Sequence, residues 1–276
     1  MRKLLHICSV MFSAAVLFSC DDSDSMMFSE DNMQGPDLIV YGITAGNELV
    51  SFNSNNPKTF ISKTSVSGVA SGEKLMSIDF RPATGELYAL SNASKLYVIN
   101  TANASARTVN TTAFTPAVSG TIVSIDFNPT VDRIRLVSSN GQNLRLNPET
   151  GTVTATDSNI NGSGNPSITG IAYTNSRSGA SSTVLYDIDA SGKLFKQDPP
   201  NAGTLVEVGS LGTNFTGQTA FDIKYDNSAA LVTANNNLHM IDLGNGKAKH
   251  IGMLQQPVID LAIPTEPVAY VVDNSN

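Results

Sequence analysis

The chain has 276 residues, 41% of them apolar and only 15% charged, with no Trp and a formal net charge of −7. That length suits one large all-β domain or two smaller ones, and the negative balance argues against a nucleic-acid partner, which needs a basic face. Both cysteines, Cys8 and Cys20, fall in the first twenty residues, so the rest of the chain carries no disulfide, thiolate nucleophile or zinc–thiolate site.

The N-terminus reads as an address. Arg2 and Lys3 precede a short apolar run, 7–19, too short to span a bilayer as a permanent helix. Leu17-Phe18-Ser19-Cys20 resembles the bacterial lipobox. By that resemblance residues 1–19 are a lipoprotein signal peptide, and Cys20 carries the lipid. Residues 20–37 hold six acids and no base and lack apolar periodicity, which predicts a flexible acidic tether. Acids directly after the lipidated cysteine resemble a surface-export signal. The expected location is the bacterial cell envelope, as an outer-membrane lipoprotein, with surface display favoured over a periplasm-facing anchor.

From residue 38 onward the chain repeats. A unit of 13 positions occurs at 41–53, 88–100, 135–147, 186–198 and 230–242. Position 3 is aliphatic in each (Ile43, Leu90, Val137, Ile188, Val232), position 4 is small and polar or acidic, and position 13 is Asn or Asp. A period of 40–50 residues made of short strands is the mark of a β-propeller. One full repeat predicts strands at 75–80, 87–91, 96–99 and 106–110, joined by turns rich in Pro, Gly and Asn. The third repeat copies this at 122–127, 134–138, 144–146 and 152–156, and first strands recur at 168–173 and 220–225.

The first unit has no first strand before it, whereas 258–263 resembles one. The C-terminus is therefore expected to supply the inner strand of the blade that the N-terminus begins. The prediction is an all-β, five-bladed propeller of four-stranded blades over 38–276. Residues 268–273 look like a further strand, so a sixth blade or an extra edge strand stays open as the alternative.

Several stretches resemble a known family. They are 77–88 (Ser-Ile-Asp-Phe-Arg-Pro-Ala-Thr-Gly-Glu-Leu-Tyr), 126–135, 141–148, 173–175 and 185–189. Together they are similar to a secreted bacterial family known as domain of unknown function 4394, over roughly residues 38–264. The resemblance implies a propeller-like fold and carries no activity, substrate or catalytic residue.

Candidate site residues are few. Of three histidines, His6 lies in the signal and His239 sits at position 10, where other repeats have Val50, Tyr97, Leu144 and Phe195, so it reads as packed. No Ser-His-Asp arrangement or His-based metal motif is legible. Asp187 to Asp198 imitates a calcium loop. The repeat explains Asp189 and Asp198 as turn positions and leaves only Asp187 unaccounted for, so no metal and no cofactor is expected.

Asp79 and Asp126 occupy matching sites on inner strands two and three. They are candidates for an ion or for acid–base work in the channel. The competing expectation is that they bond turn N–H groups or an arginine between blades. Arg135, which replaces the tyrosine of Tyr41, Tyr88 and Tyr186, is the expected partner of Asp126. Arg133 and Arg145 lie on the same blade, and with Arg135 they are a candidate anion site, ordinary ion pairs being the favoured expectation. The expected function is a lipid-anchored binding or scaffold module with a protein or glycan ligand. The alternative is a carbohydrate-active enzyme with acidic residues near the channel.

Overall fold

The computed structural model describes residues 34–266, except 213, 214 and 216. The signal peptide, Cys20, nearly all of the acidic tether and the strand-like segment 268–273 lie outside the described residues.

Five four-stranded antiparallel sheets form a β-propeller. Blade 1 has the order β20-β1-β2-β3, where β1 is Ile39–Ile43, β2 is Glu48–Asn53, β3 is Asn56–Ser65 and β20 is Asp260–Ala262. Blade 2 runs through β4 (Leu75–Phe80), β5 (Leu87–Ser91), β6 (Leu96–Ile99) and β7 (Ala106–Thr108). Blade 3 runs through β8 (Val123–Asn128), β9 (Arg133–Ser138), β10 (Asn143–Leu146) and β11 (Val153–Thr156). Blade 4 comprises β12 (Ile168–Tyr173), β13 (Leu185–Asp189), β14 (Lys193–Gln197) and β15 (Leu205–Ser210). Blade 5 comprises β16 (Ala220–Ile223), β17 (Ala230–Ala234), β18 (Asn237–Ile241) and β19 (Ala248–Met253). Among the described residues the sole helical turn is Pro200–Ala202.

The inner strands β20, β4, β8, β12 and β16 pack on one another in that cyclic order. The C-terminal strand closes the ring as expected. Tyr41, Gly42 and Ile43 of β1 pair with Ala262, Leu261 and Asp260 of β20. Gly42 keeps that position small, because a Cβ would come within 2.8 Å of the Val258 side chain and one of the two would have to shift. The described blades number five, so the six-bladed alternative is not what the chain builds.

Second strands are buried on both faces because each blade is sandwiched between two others. In β5, Leu87 and Ala89 join the cluster shared with blade 1, while Tyr88 and Leu90 join the cluster shared with blade 3. A strand that feeds two seams is a continuous apolar run rather than an alternating one. The outermost strands β3, β7 and β11 are mostly exposed.

The invariant polar positions are turn chemistry. Asn53, Asn100, Asn147 and Asp242 each accept, through Oδ1, the N–H two residues on, at 2.8–3.0 Å. Asp198 cannot, since the residue two on is Pro200, which has no N–H. At position 4, Thr44, Ser91, Ser138 and Asp189 accept N–H groups of their own hairpins. Asp189 is thereby spent on the β13–β14 turn, as the repeat implied. His239 is buried in ring contact with Phe215 and His250, a packed position.

Candidate functional site

The propeller axis is lined by carboxyl groups. Each inner strand directs alternate side chains inward, and an apolar–Asp–apolar triplet recurs at Ile78-Asp79-Phe80, Ile125-Asp126-Phe127 and Phe221-Asp222-Ile223. These place Asp79, Asp126 and Asp222 at one level, each no more than 4% exposed. Blades 4 and 1 have Ala172 and Ala262 at that level. Asp260 lies two residues back along β20, at the level of Ser77 and Ser124.

Each acid bonds its own blade to the next. Asp79 accepts the Phe80 N–H through Oδ1 and the Phe127 N–H of blade 3 through Oδ2, both at 2.7 Å. Asp222 does the same with Ile223 and with Ile263 at the end of the closing strand, both at 2.6 Å. Asp126 accepts the Tyr173 N–H of blade 4 at 3.1 Å. Asp260 accepts its neighbour Leu261 at 2.9 Å, Ile78 of blade 2 at 3.0 Å, and the Ser77 hydroxyl. Ser77 and Ser124 repeat the device with the Ile125 and Ile171 N–H groups. The expectation that these acids bond N–H groups is correct in kind. The donors are N–H groups of the acid's own strand and of the next blade's inner strand rather than of turns.

Burial governs their protonation, because removing a carboxylate from water disfavours its charge. Burial, then the nearby Asp222, pushes Asp79 well above the usual aspartate range. Burial followed by Asp79 and Asp222 does the same to Asp126. Burial pushes Asp222 up to about 7, against two backbone N–H bonds that oppose it. Asp260 is pushed up to about 8, by burial first. Asp79, Asp126 and Asp222 each bring one oxygen within 4.8 Å of the others, a spacing that a single hard cation can span.

The expected Asp126–Arg135 pair does not form. The two residues lie opposite one another in the β8–β9 register, but Asp126 is turned to Tyr173. The longer Arg135 side chain runs instead to the far end of blade 3. There it meets Asp157 Oδ2 at 2.6 Å and Asn143 Oδ1 at 2.8 Å through Nη1, and Asn201 Oδ1 of blade 4 at 2.7 Å through Nη2. Its Nε donates to the Tyr173 hydroxyl at 3.3 Å. Arg145 also grips Asp157, at 2.8 and 2.9 Å, so it is the ordinary ion pair that was expected. Arg133 instead donates to the Asp132 carbonyl at 2.8 Å. Removing one partner of a buried pair typically costs about 3–5 kcal/mol. Asp157→Ala is therefore expected to lower stability by that order in a denaturant titration. Equal stability would show that Arg135 does not depend on Asp157.

Asp187 is the fourth candidate. It is fully buried on β13, facing blade 3, and burial holds it well above the usual aspartate range despite the opposing charge of Arg135. It faces the seam two residues before Asp189, whose carboxyl is taken up by Ser191 and the Lys193 N–H of its own turn.

The sequence reading did not single out Asp222 or Asp260, and it read Asp157 only as the start of a Gly- and Asn-rich surface loop over 157–162 that partly imitates a calcium loop, whereas Asp157 binds Arg135 and Arg145. Asp222 was legible, since it repeats the triplet of Asp79 within an expected inner strand. A second missed feature is Arg81, 6% exposed, whose Nε and Nη2 clasp both oxygens of Asp132 at 2.9 and 2.5 Å, while Nη1 reaches Glu149 at 2.5 Å. It bolts blade 2 to blade 3 on the rim beside the axis.

With five blades, the closing strand and the apolar–Asp–apolar triplets in place, the chain matches the family described as "Domain of unknown function (DUF4394)" over residues 48–262. The chain belongs to the DUF4394 family. No curated protein matches it. It is similar in fold to a solved structure described as a structural genomics protein of unknown function from Bacteroides thetaiotaomicron VPI-5482. Identity is 15% and the TM-score 0.54, with 84% of this chain and 66% of that one covered. That likeness concerns fold alone. For this DUF4394 protein, any chemistry rests on its own residues.

Proposed function

We propose that this DUF4394 propeller is a lipid-anchored, extracytoplasmic binding or scaffold module of the bacterial envelope. Cys20 is its lipid attachment point, the acidic segment 20–37 its tether, and a protein or glycan its ligand. The observation that carries the binding reading is how the axial acids are used. Asp79, Asp126, Asp222 and Asp260 accept N–H groups from neighbouring blades and serve as ring fasteners. Cavities of about 350, 440, 450 and 530 Å³ are lined by loops and by second, third and outer strands, and none of these four includes an axial carboxyl. The 350 Å³ cavity spans the first-to-second-strand loops of blades 2, 3 and 4, with Pro82, Pro129, Val131, Asp132 and Gly179 in its wall. Three adjacent blades contribute to that face, which suits recognition without turnover. Fold by itself does not decide the point.

Incubating the mature protein with envelope glycans and envelope protein extracts tests this. Retention of a ligand with no release of reducing sugar is the expected result. Sugar release that disappears in Asp126→Asn would replace the binding module by a carbohydrate-active enzyme. The anchor has its own test, since Cys20→Ala is expected to move the protein from the membrane fraction to the soluble one. A variant that stays membrane-bound like its parent would remove the anchor from the proposal.

A further inference from the structure

The seam between blades 3 and 4 holds polar oxygens that have no hydrogen-bond partner among the described residues. Asp187 is 0% exposed, and among the described residues neither of its carboxyl oxygens has a hydrogen-bond partner. Gln197 on β14 is 1% exposed, and its Oε1 is likewise without a partner. Its amide orientation is fixed, because Nε2 donates to the Pro200 carbonyl at 2.6 Å.

The two residues sit on one face of the β13–β14 pair. Asp187 lies opposite Phe195 in the β13–β14 register, and Gln197 is two residues beyond Phe195. Diagonal neighbours of this kind share a sheet face, with Cα atoms about 7–8 Å apart. That face carries Ile171, Tyr173, Phe195 and Leu205 against Val137 of blade 3. In the other blades the Asp187 position is Gly42, Ala89, Leu136 or Leu231. An acid has entered a slot that is otherwise small or apolar.

Arg135, across the seam, does not supply the missing bond. Its Nε, Nη1 and Nη2 donate to Tyr173, Asn143, Asp157 and Asn201. Arg135 and Arg145 share the single carboxylate of Asp157, which leaves one surplus positive charge beside Asp187. That surplus disfavours a metal ion as the occupant. Three orphaned oxygens nevertheless need hydrogen-bond partners, since buried polar groups in folded proteins are almost always bonded to protein or to ordered water.

We propose that Asp187 and Gln197 form a buried binding site for one small neutral hydrogen-bond donor, a water molecule that bridges Asp187 to Gln197 Oε1 within the blade 3–blade 4 seam. The site makes this seam the hydrated joint of the ring. The 198–204 turn covers it, pinned to blade 3 where Asn143 Nδ2 donates to the Pro200 carbonyl at 3.0 Å.

Crystal structures of the full chain and of Asp187→Leu test the site, together with their melting curves. The expected result is one ordered water within hydrogen-bond reach of Asp187 and Gln197 in the parent. It should be lost in Asp187→Leu, whose melting temperature should be no higher than the parent's, because Gln197 then loses its donor. No water in the parent, with Asp187→Leu melting higher, would overturn the proposal and leave Asp187 an unpaired acid where leucine fits. If Asp187→Leu does not fold, Gln197→Met decides the matter. The bridging water should vanish from it while Asp187 stays in place, and an unchanged water would exclude the bridge. Melts in ammonium chloride and sodium chloride at equal ionic strength should coincide. A rise specific to ammonium in the parent, absent from Gln197→Met, would overturn the neutral occupant.

Discussion

Deleting residues 258–276 is expected to leave a chain without a cooperative melting transition at room temperature. The deletion removes β20, and with it the three pairs that β1 makes at Tyr41, Gly42 and Ile43. Blade 5 loses the Asp222–Ile263 bond, and blade 2 loses the Asp260 bonds to Ser77 and Ile78. Val258, Leu261 and Ile263 leave the cluster between blades 5 and 1, and Ala262 leaves the one between blades 1 and 2. Burying each large aliphatic side chain contributes about 1.5–3 kcal/mol, so these three alone supply roughly 5–9 kcal/mol. A folded domain is stable by only about 5–15 kcal/mol in total. The loss is also global, since a blade packs only on its neighbours and an open ring exposes an unpaired inner edge on β1. A truncated protein that keeps the parental melting temperature would show that β20 is not what closes the ring.

The closure was legible in the sequence because a strand pattern was missing at one end of the chain and present at the other. The blades were legible for a related reason: position 3 is always aliphatic and position 13 always Asn or Asp, and both properties serve local needs, seam packing and turn bonding. Pairing across blades was not. Asp126 and Arg135 are aligned in register, and sequence logic joined them, but a backbone N–H from β12 claimed the carboxyl and Asp157 claimed the guanidinium. Asp157 lies just beyond β11, in a stretch that carries no repeat signal. Asp222 and Asp260 were missed for different reasons. Asp222 repeats the triplet within an expected inner strand, whereas Asp260 sits two residues off the aligned position, where blades 2 and 3 have serine. The orphaned oxygens of Asp187 and Gln197 depend on which atoms they face across a seam, which no pattern along the chain records.

The axial carboxyls should make the protein less stable as the solution becomes more alkaline across the neutral range. Asp79, Asp126, Asp222 and Asp260 are all raised in the folded state by burial, with mutual repulsion adding for Asp79, Asp126 and Asp260. In the unfolded chain they titrate near the ordinary aspartate value of about 3.9. The folded state therefore binds more protons than the unfolded one above that value, and stability falls as pH rises. The contribution is fully present below about pH 4. It is lost as pH passes through about 7 for Asp222 and about 8 for Asp260. Groups of the opposite kind do not mask this. Asp226, held down to about 2, and Glu73, lowered by Lys95, Tyr97 and Ser91 against the opposing effect of burial, contribute stability that is already complete above about pH 5. Each unit of displacement corresponds to roughly 1.4 kcal/mol at most, and for a domain of this size about 1 kcal/mol moves the melting temperature by roughly 2–4 °C. Between pH 5 and pH 9, with a chelator present so that no cation pairs with Asp79, Asp126 and Asp222, the melting temperature should fall by on the order of 10 °C. Asp222→Asn keeps an oxygen that can accept the Ile263 N–H but cannot ionise, so its profile should be flatter and should cross above the parent's near pH 9. A parental melting temperature that is level or rising from pH 5 to pH 9 would mean that these carboxyls are ionised inside the ring and that their bonds to neighbouring N–H groups outweigh burial.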